Sequence, residues 1–171
     1  MATEFKKGHK FDLLDLFTIT PKEVGEIFLK ELKKRTPDME NIQVFLDSGL
    51  LDLNETFDEE GYAALHICVI KNHRRLIVPL IEAGADVNLF CRRPSDNGTP
   101  LHYTGSYQAT KGRKEIAKIL LDNGADLFLE NIHSTKPFEW ARNNYLRSEE
   151  ESYNTLMIFL EDKMKEHLEK S

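Results

Sequence analysis

Two stretches of the chain follow one pattern. "GYAALHIC" (61–68) and "DNGTPLHY" (96–103) each place a histidine directly after a leucine, and the pairs Leu65-His66 and Leu101-His102 lie 36 residues apart. Downstream, "EAGADVN" (82–88) matches "DNGADLF" (122–128), with Gly84 and Gly124 40 residues apart. The interval from histidine to glycine is 18 residues in the first unit and 22 in the second. The second unit therefore carries four extra residues, near "SYQATKG" (106–112), and about three more in the preceding loop "FCRRPSDNG" (90–98). A repeat of this length is one supersecondary unit, too small to bury its own apolar face. Such a chain is constrained to stack its units into one continuous core.

Each unit reads as helix, turn, helix. Thr99 suits an N-cap and Pro100 the first helical position, where a missing N–H costs nothing. The first unit has Ala63 and Ala64 there, so its helix start is expected to be weaker by about 0.5–2 kcal/mol. Gly84 and Gly124 stand where the second helix must end in a left-handed turn. "IVPLIEAG" and "IAKILLDNG" supply the apolar stripe: Ile77, Leu80, Ile81 and Ile116, Ile119, Leu120. Pro79 interrupts one stripe and is expected to kink or loosen its helix. Gly105 is expected to weaken the first helix of unit two by about 1 kcal/mol relative to alanine.

"TPLHYT", "NGTPLH", "EAGADVN" and "KEIAKILLDNGAD" resemble ankyrin repeats, strongly over 58–128 and more loosely over 38–145. "KPFEWA" (136–141) falls in the slot of the Thr-Pro-Leu-His signature in a third unit, and "MENIQVFLDSGLLDLN" (39–54) resembles the second half of an earlier one. The resemblance implies an all-α solenoid of about three to four helix-turn-helix repeats in one domain, with helical caps. The expected divisions are an N-terminal cap (1–37), a degenerate repeat (38–57), a repeat (58–89), a repeat with two insertions (90–128), a degenerate repeat (129–147) and a C-terminal capping helix (148–171). The signature histidines, His66 and His102, are implied to be structural.

The ends carry signals of their own. Thr20, Pro21 and Glu23 form a capping box, and Val24, Ile27, Phe28 and Leu32 share one helical face. "FDLLDLF" (11–17) reads as a short helix covering that cap. At the far end Ser148 and the glutamates after it read as a helix start, with Tyr153, Leu156, Met157, Leu160, Met164 and Leu168 along one side. The segment 11–46 also resembles an F-box at its opening, which leaves a ubiquitin-ligase adaptor as the alternative.

Nothing in the sequence asks for chemistry. There is no P-loop, no HExxH, no G-x-S-x-G, no EF-hand loop and no paired CxxC. Equivalent side chains on stacked helices sit about 8–10 Å apart, too far for two of them to share a zinc ion. Cys68 reads as a small core residue. Cys91, beside Arg92 and Arg93, is expected to have a lowered pKa and to be reactive. No catalytic residue, metal ligand or cofactor is therefore expected, nor an enzyme activity. The net charge of −6 argues against nucleic acid. No apolar run approaches a leader or a membrane span, so a cytoplasmic or nuclear monomer is expected; a bacterial effector delivered into a host cell without a cleaved leader would read the same.

What remains is recognition of a protein partner, as adaptor, inhibitor or effector. The resemblance implies a concave face built from loop tips and first helices: Glu59, Glu60, Tyr62, Ile70 and Lys71 in unit one; Arg92, Arg93, Ser95, Asp96, Asn97, Ser106 and Tyr107 in unit two; Ile132, His133, Thr135, Asn143 and Asn144 in unit three. Tyr62, Tyr107, Arg92 and Arg93 lead, because aromatic and arginine side chains anchor interfaces. The two insertions flank the first helix of unit two and mark it as the specificity element. The resemblance also implies Asn88, eight residues after Leu80, as a candidate for asparaginyl hydroxylation; Asn54 and Leu46 repeat that spacing. The other reading of both is an asparagine that ties its own turn.

Overall fold

A computed structural model of the chain describes residues 10, 12–55, 58–106, 112–148 and 151–170. Among these lie nine helices: α1 (Leu13–Phe17), α2 (Pro21–Leu32), α3 (Met39–Asp47), α4 (Ala64–Ile70), α5 (Arg74–Glu82), α6 (Pro100–Thr104), α7 (Arg113–Asp122), α8 (Pro137–Ser148) and α9 (Glu151–Leu168). They pack as an inner row, α2–α4–α6–α8, backed by α3, α5, α7 and α9. The architecture is the all-α stack of helix pairs that the repeats require. Because α2 packs on both α3 and α4, the segment read as a cap and the degenerate repeat after it are the two helices of one pair. Likewise α9 packs on α7 as well as α8, so it is the outer helix of the last pair and also its cover.

The core follows the apolar stripes. Leu76, Ile77 and Leu80 of α5, and Ile116, Ala117 and Leu120 of α7, are buried between the rows. Complete burial of one such leucine or isoleucine stabilises the stack by about 1.5–3 kcal/mol. Phe28 and Phe45 meet at 5.6 Å to hold α2 on α3, and α1, packed on α3, buries Leu16 while Phe17 stays exposed. In α9, Tyr153, Leu156 and Leu160 are buried, but Leu168 is exposed, so the stripe ends earlier than its sequence suggests. Ser148 closes α8 rather than opening α9.

Pro79 is carried inside an uninterrupted α5. The carbonyl it cannot reach belongs to Arg75, an exposed residue of the first turn, where water can serve instead. Gly105 is also not the weak point that its helix propensity implies. It lies just past α6, and an added Cβ would meet the Ala141 backbone of α8 at 3.0 Å. Its lack of a side chain lets the two inner helices touch.

Three of the four inner helices, α2, α6 and α8, begin on one device, in which the third helical side chain reaches back to the N-cap amide. Glu23 accepts the Thr20 N–H at 2.9 Å, His102 Nδ1 accepts the Thr99 N–H at 3.1 Å, and Glu139 accepts the Lys136 N–H at 2.9 Å. The opposite ring nitrogen of His102 donates to the Thr135 carbonyl of the next unit at 2.9 Å, which makes it the neutral Nε2–H tautomer. His66 ties to the Gly98 carbonyl in the same way at 3.1 Å. With Ala63 at its N-cap, however, its Nδ1 is buried without a partner. Ala63→Thr is accordingly expected to supply both the cap and a donor to that nitrogen. It should raise stability by about 0.5–2 kcal/mol, read as a higher denaturant midpoint with an unchanged slope. A midpoint that fell would show that the ring nitrogen was satisfied some other way.

Candidate partner-binding face

Between successive pairs the chain forms short fingers, and one hydrogen-bonding scheme builds them. In the first, Asp58 N–H donates to the Tyr62 carbonyl at 2.9 Å, while the Asp58 carboxylate accepts the amides of Glu60 (3.0 Å) and Tyr62 (2.8 Å). Gly61 supplies the left-handed residue at φ 86°, and a Cβ there would press on the Arg92 backbone at 2.9 Å. The third finger repeats the scheme with Asn131, whose side chain accepts from His133 and Thr135. The second closes from Cys91 N–H to the Gly98 carbonyl at 3.1 Å. Its span is three residues longer, which is the loop insertion seen in the sequence.

That longer finger is braced from both sides. The Arg93 guanidinium lies 4.8 Å from the centre of the Tyr62 ring and donates to the Tyr62 hydroxyl at 2.6 Å, to Glu60 at 3.3 Å and to Asp96 at 3.0 Å. Asp96 in turn accepts the Tyr103 hydroxyl at 2.8 Å. On the other flank, Asn97 accepts the Ile132 amide at 3.0 Å, and His133 bonds the Ser95 carbonyl at 2.6 Å. Arg92 reaches across to Glu55 at 2.6 Å with its side chain largely exposed.

This geometry revises the anchor residues. Tyr62 is buried, stacked edge-on against Tyr103 at 5.2 Å, and burial pushes its hydroxyl up to about 12. It supports the finger from beneath and is not presented to a partner. Arg93 and Asp96 are half-buried and likewise spent on the brace. Cys91 is buried against the Tyr103 hydroxyl at 3.3 Å, so the reactive surface thiol expected from its neighbours is absent. Glu59, Glu60, Arg92, Ile132 and His133 remain on the surface, with Ile132 52 % exposed at a finger tip. Tyr107 and most of the second insertion lie outside the described residues.

Lys71 stands apart, at the end of α4. It lines a groove of about 510 Å³ together with Lys33, Asp58, Glu60, Tyr62, Ile67 and Ile70. The groove has an ion pair at one wall, Lys33 to Asp58 at 3.0 Å, and the half-buried Ile70 at its base. Lys33 and Asp58 meet only because stacking brings the end of α2 to the first finger. Asn88 donates to the Gly124 carbonyl at 3.0 Å and accepts the Asp126 amide at 2.8 Å. Asn54 makes the same clamp to Gly84 and Asp86. In the last unit Phe128 takes this place, and it meets the His167 ring of α9 at 5.1 Å. Among the described residues no group of His, Cys, Asp and Glu could hold a metal ion, and no helix is long and apolar enough to cross a membrane.

Residues 38–131 match the family model for ankyrin repeats in three copies, more than half of the chain. The chain belongs to the ankyrin-repeat family. An ankyrin repeat protein of fowlpox virus is 30 % identical over 124 residues, 69 % of this chain and 16 % of that protein. Protein phosphatase 1 regulatory subunit 12A of the mouse is 32 % identical over 88 residues, 52 % of this chain and 8 % of its own length. Palmitoyltransferase AKR1 of Lachancea kluyveri is 31 % identical over 90 residues, 52 % of this chain and 11 % of the enzyme. The chain thus spans under a fifth of each of these relatives. An ankyrin array is a protein–protein interaction module, and the family is generally non-catalytic.

Proposed function

We propose that the chain is a non-catalytic, monomeric recognition module that binds a protein partner along its concave side, as adaptor, inhibitor or effector. The carrying observation is the groove of about 510 Å³ at the first finger, whose lining joins Glu60 and Lys71 with Ile67 and Ile70. The exposed Arg92 and Ile132, on the braced fingers above, extend the same face. A groove with an apolar base and charged walls favours a protein segment that inserts one apolar side chain between polar neighbours. The rigid fingers reduce the ordering that binding would otherwise require.

Both cysteines are free thiols, which fits a reducing compartment such as the cytoplasm or nucleus. The net charge of −6 goes with protein rather than nucleic acid. Packing of α2 on α4 supports reading residues 11–46 as part of the array rather than as a separate F-box.

Affinity capture with mass spectrometry tests the proposal, comparing wild type with Glu60→Ala/Lys71→Ala/Arg92→Ala. These positions are chosen because Arg93→Ala would loosen the finger as well as remove a contact. Each removed anchor is expected to cost about 1–2 kcal/mol of binding, so specific partners should be lost from the triple variant while its thermal midpoint holds. An unchanged partner set would place recognition elsewhere.

A further inference from the structure

On the edge opposite the fingers, the connection between α2 and α3 meets the connection between α4 and α5. Together they enclose a cavity of about 560 Å³ lined by Arg35, Thr36, Pro37, Met39, Asn72, His73, Arg74, Arg75 and Leu76. Three exposed arginines line it in a chain whose net charge is −6. Their local sign is the reverse of the molecule's.

The arginines are not there to neutralise nearby acids. Among the described residues none of the three lies within ion-pair distance of a carboxylate, whereas Arg92 and Arg93 are both paired. The acids of that corner are already committed. Glu31 accepts from Lys34 at 2.5 Å and from the Asp38 amide at 2.9 Å, and Asp38 accepts the amides of Glu40 and Asn41. Arg74 is also held in position. Arg74 donates its Nε to Asn72 at 3.0 Å. Its guanidinium lies against Gly112, where an added Cβ would come within 2.5 Å. The His73 ring fixes the floor through the Leu32 carbonyl at 2.9 Å. Met39, 47 % exposed, adds an apolar wall.

We infer that this corner is a second docking surface, one that takes an acidic, partly apolar segment of a partner protein. Carboxylates match the planar forks of Arg35, Arg74 and Arg75, and Met39 takes the neighbouring apolar side chain. The remaining surface repels an acidic segment, so the reversed local sign also steers it to this corner. Its lining shares no residue with that of the concave groove, and the inference does not depend on the function proposed for the groove.

A fluorescein-labelled synthetic peptide alternating glutamate and leucine, titrated by anisotropy against the full chain at low ionic strength, tests the inference. The same peptide with glutamine for glutamate is the control. The glutamate peptide is expected to bind and the glutamine peptide to fail. Arg35→Gln and Arg75→Gln should each weaken binding about tenfold, the loss expected for one charge-assisted contact. Glu60→Ala/Lys71→Ala should leave it unchanged. All these side chains are exposed, and matching circular dichroism spectra would show that the variants fold. Equal binding of the two peptides, or binding that survives Arg35→Gln/Arg75→Gln, overturns the inference. So does inorganic phosphate binding at the corner when the glutamate peptide does not. Sedimentation showing self-association that Arg35→Gln/Arg75→Gln abolishes overturns it too, because the occupant is then a second copy.

Discussion

Acidification from pH 7 to pH 4 is expected to unfold the chain, and the two signature histidines are the reason. His66 and His102 are buried, and burial holds each imidazole neutral with a pKa lowered to about 4. In the unfolded chain both return to about 6.5. As pH falls through 6.5 the unfolded state takes up these protons first, so stability is complete above that value and declines toward pH 4. A displacement of this size corresponds to on the order of 3 kcal/mol per histidine. Two such losses rival the whole stability of a domain, about 5–15 kcal/mol. His73, lowered chiefly by burial, adds to the trend in the same direction. Urea midpoints measured at pH 7, 6 and 5 should fall steadily, and His102→Gln should flatten part of that slope. Midpoints that stayed level between pH 7 and 5 would show that the rings take up protons without leaving the core.

The second large effect is expected at Gly105, where two principles give opposite signs. Helix propensity alone awards Gly105→Ala up to about 1 kcal/mol. Packing opposes it, because the new methyl group would lie 3.0–3.1 Å from Cα, Cβ and N of Ala141. Ala141 is fully buried, and Asn144 holds the Gly105 carbonyl at 2.8 Å, so α8 cannot step back without breaking that bond. Overpacking of this kind costs about 1–3 kcal/mol. The net expectation is a loss, lowering the thermal midpoint by about 2–4 °C for each kcal/mol. Ala141→Gly removes one of the three crowding atoms and should partly rescue the double variant, as a positive coupling in the cycle. A higher midpoint for Gly105→Ala would show that propensity outweighs the contact.

These two expectations differ in how much of them the sequence contained. The histidines were legible as scaffold, because a Leu-His pair repeated after a cap and a proline belongs to a helix start. Their burial follows from stacking, and the sequence predicts stacking. At Gly105 the sequence expectation fails for an equally physical reason. A glycine next to a five-residue helix looks like a local propensity defect until the neighbouring helix is in place. The candidate site divides along the same line. Arg93 and Tyr62 carry the residue types of interface anchors, yet each finds its partner in the other, 31 positions away, and is withdrawn from the surface. Lys33 and Asp58 line the groove together only because the stacked helices make them neighbours.

By itself the sequence determined the all-α stack of repeats, the helix starts at Thr20 and Thr99, the left-handed turns at Gly84 and Gly124, and the three-residue lengthening of the second finger. Each is set within one unit, by spacing, capping or backbone freedom, so a single pass along the chain shows it. Only the tertiary structure decided which polar side chains are consumed by neighbouring units and which are left for a partner. Arg93 is consumed by the first finger and Asn97 by the third, and Arg92 is paired with Glu55, whereas Lys71, Arg35 and Arg75 remain exposed. That outcome depends on contacts between residues some thirty to forty positions apart, which become neighbours only when the repeats stack.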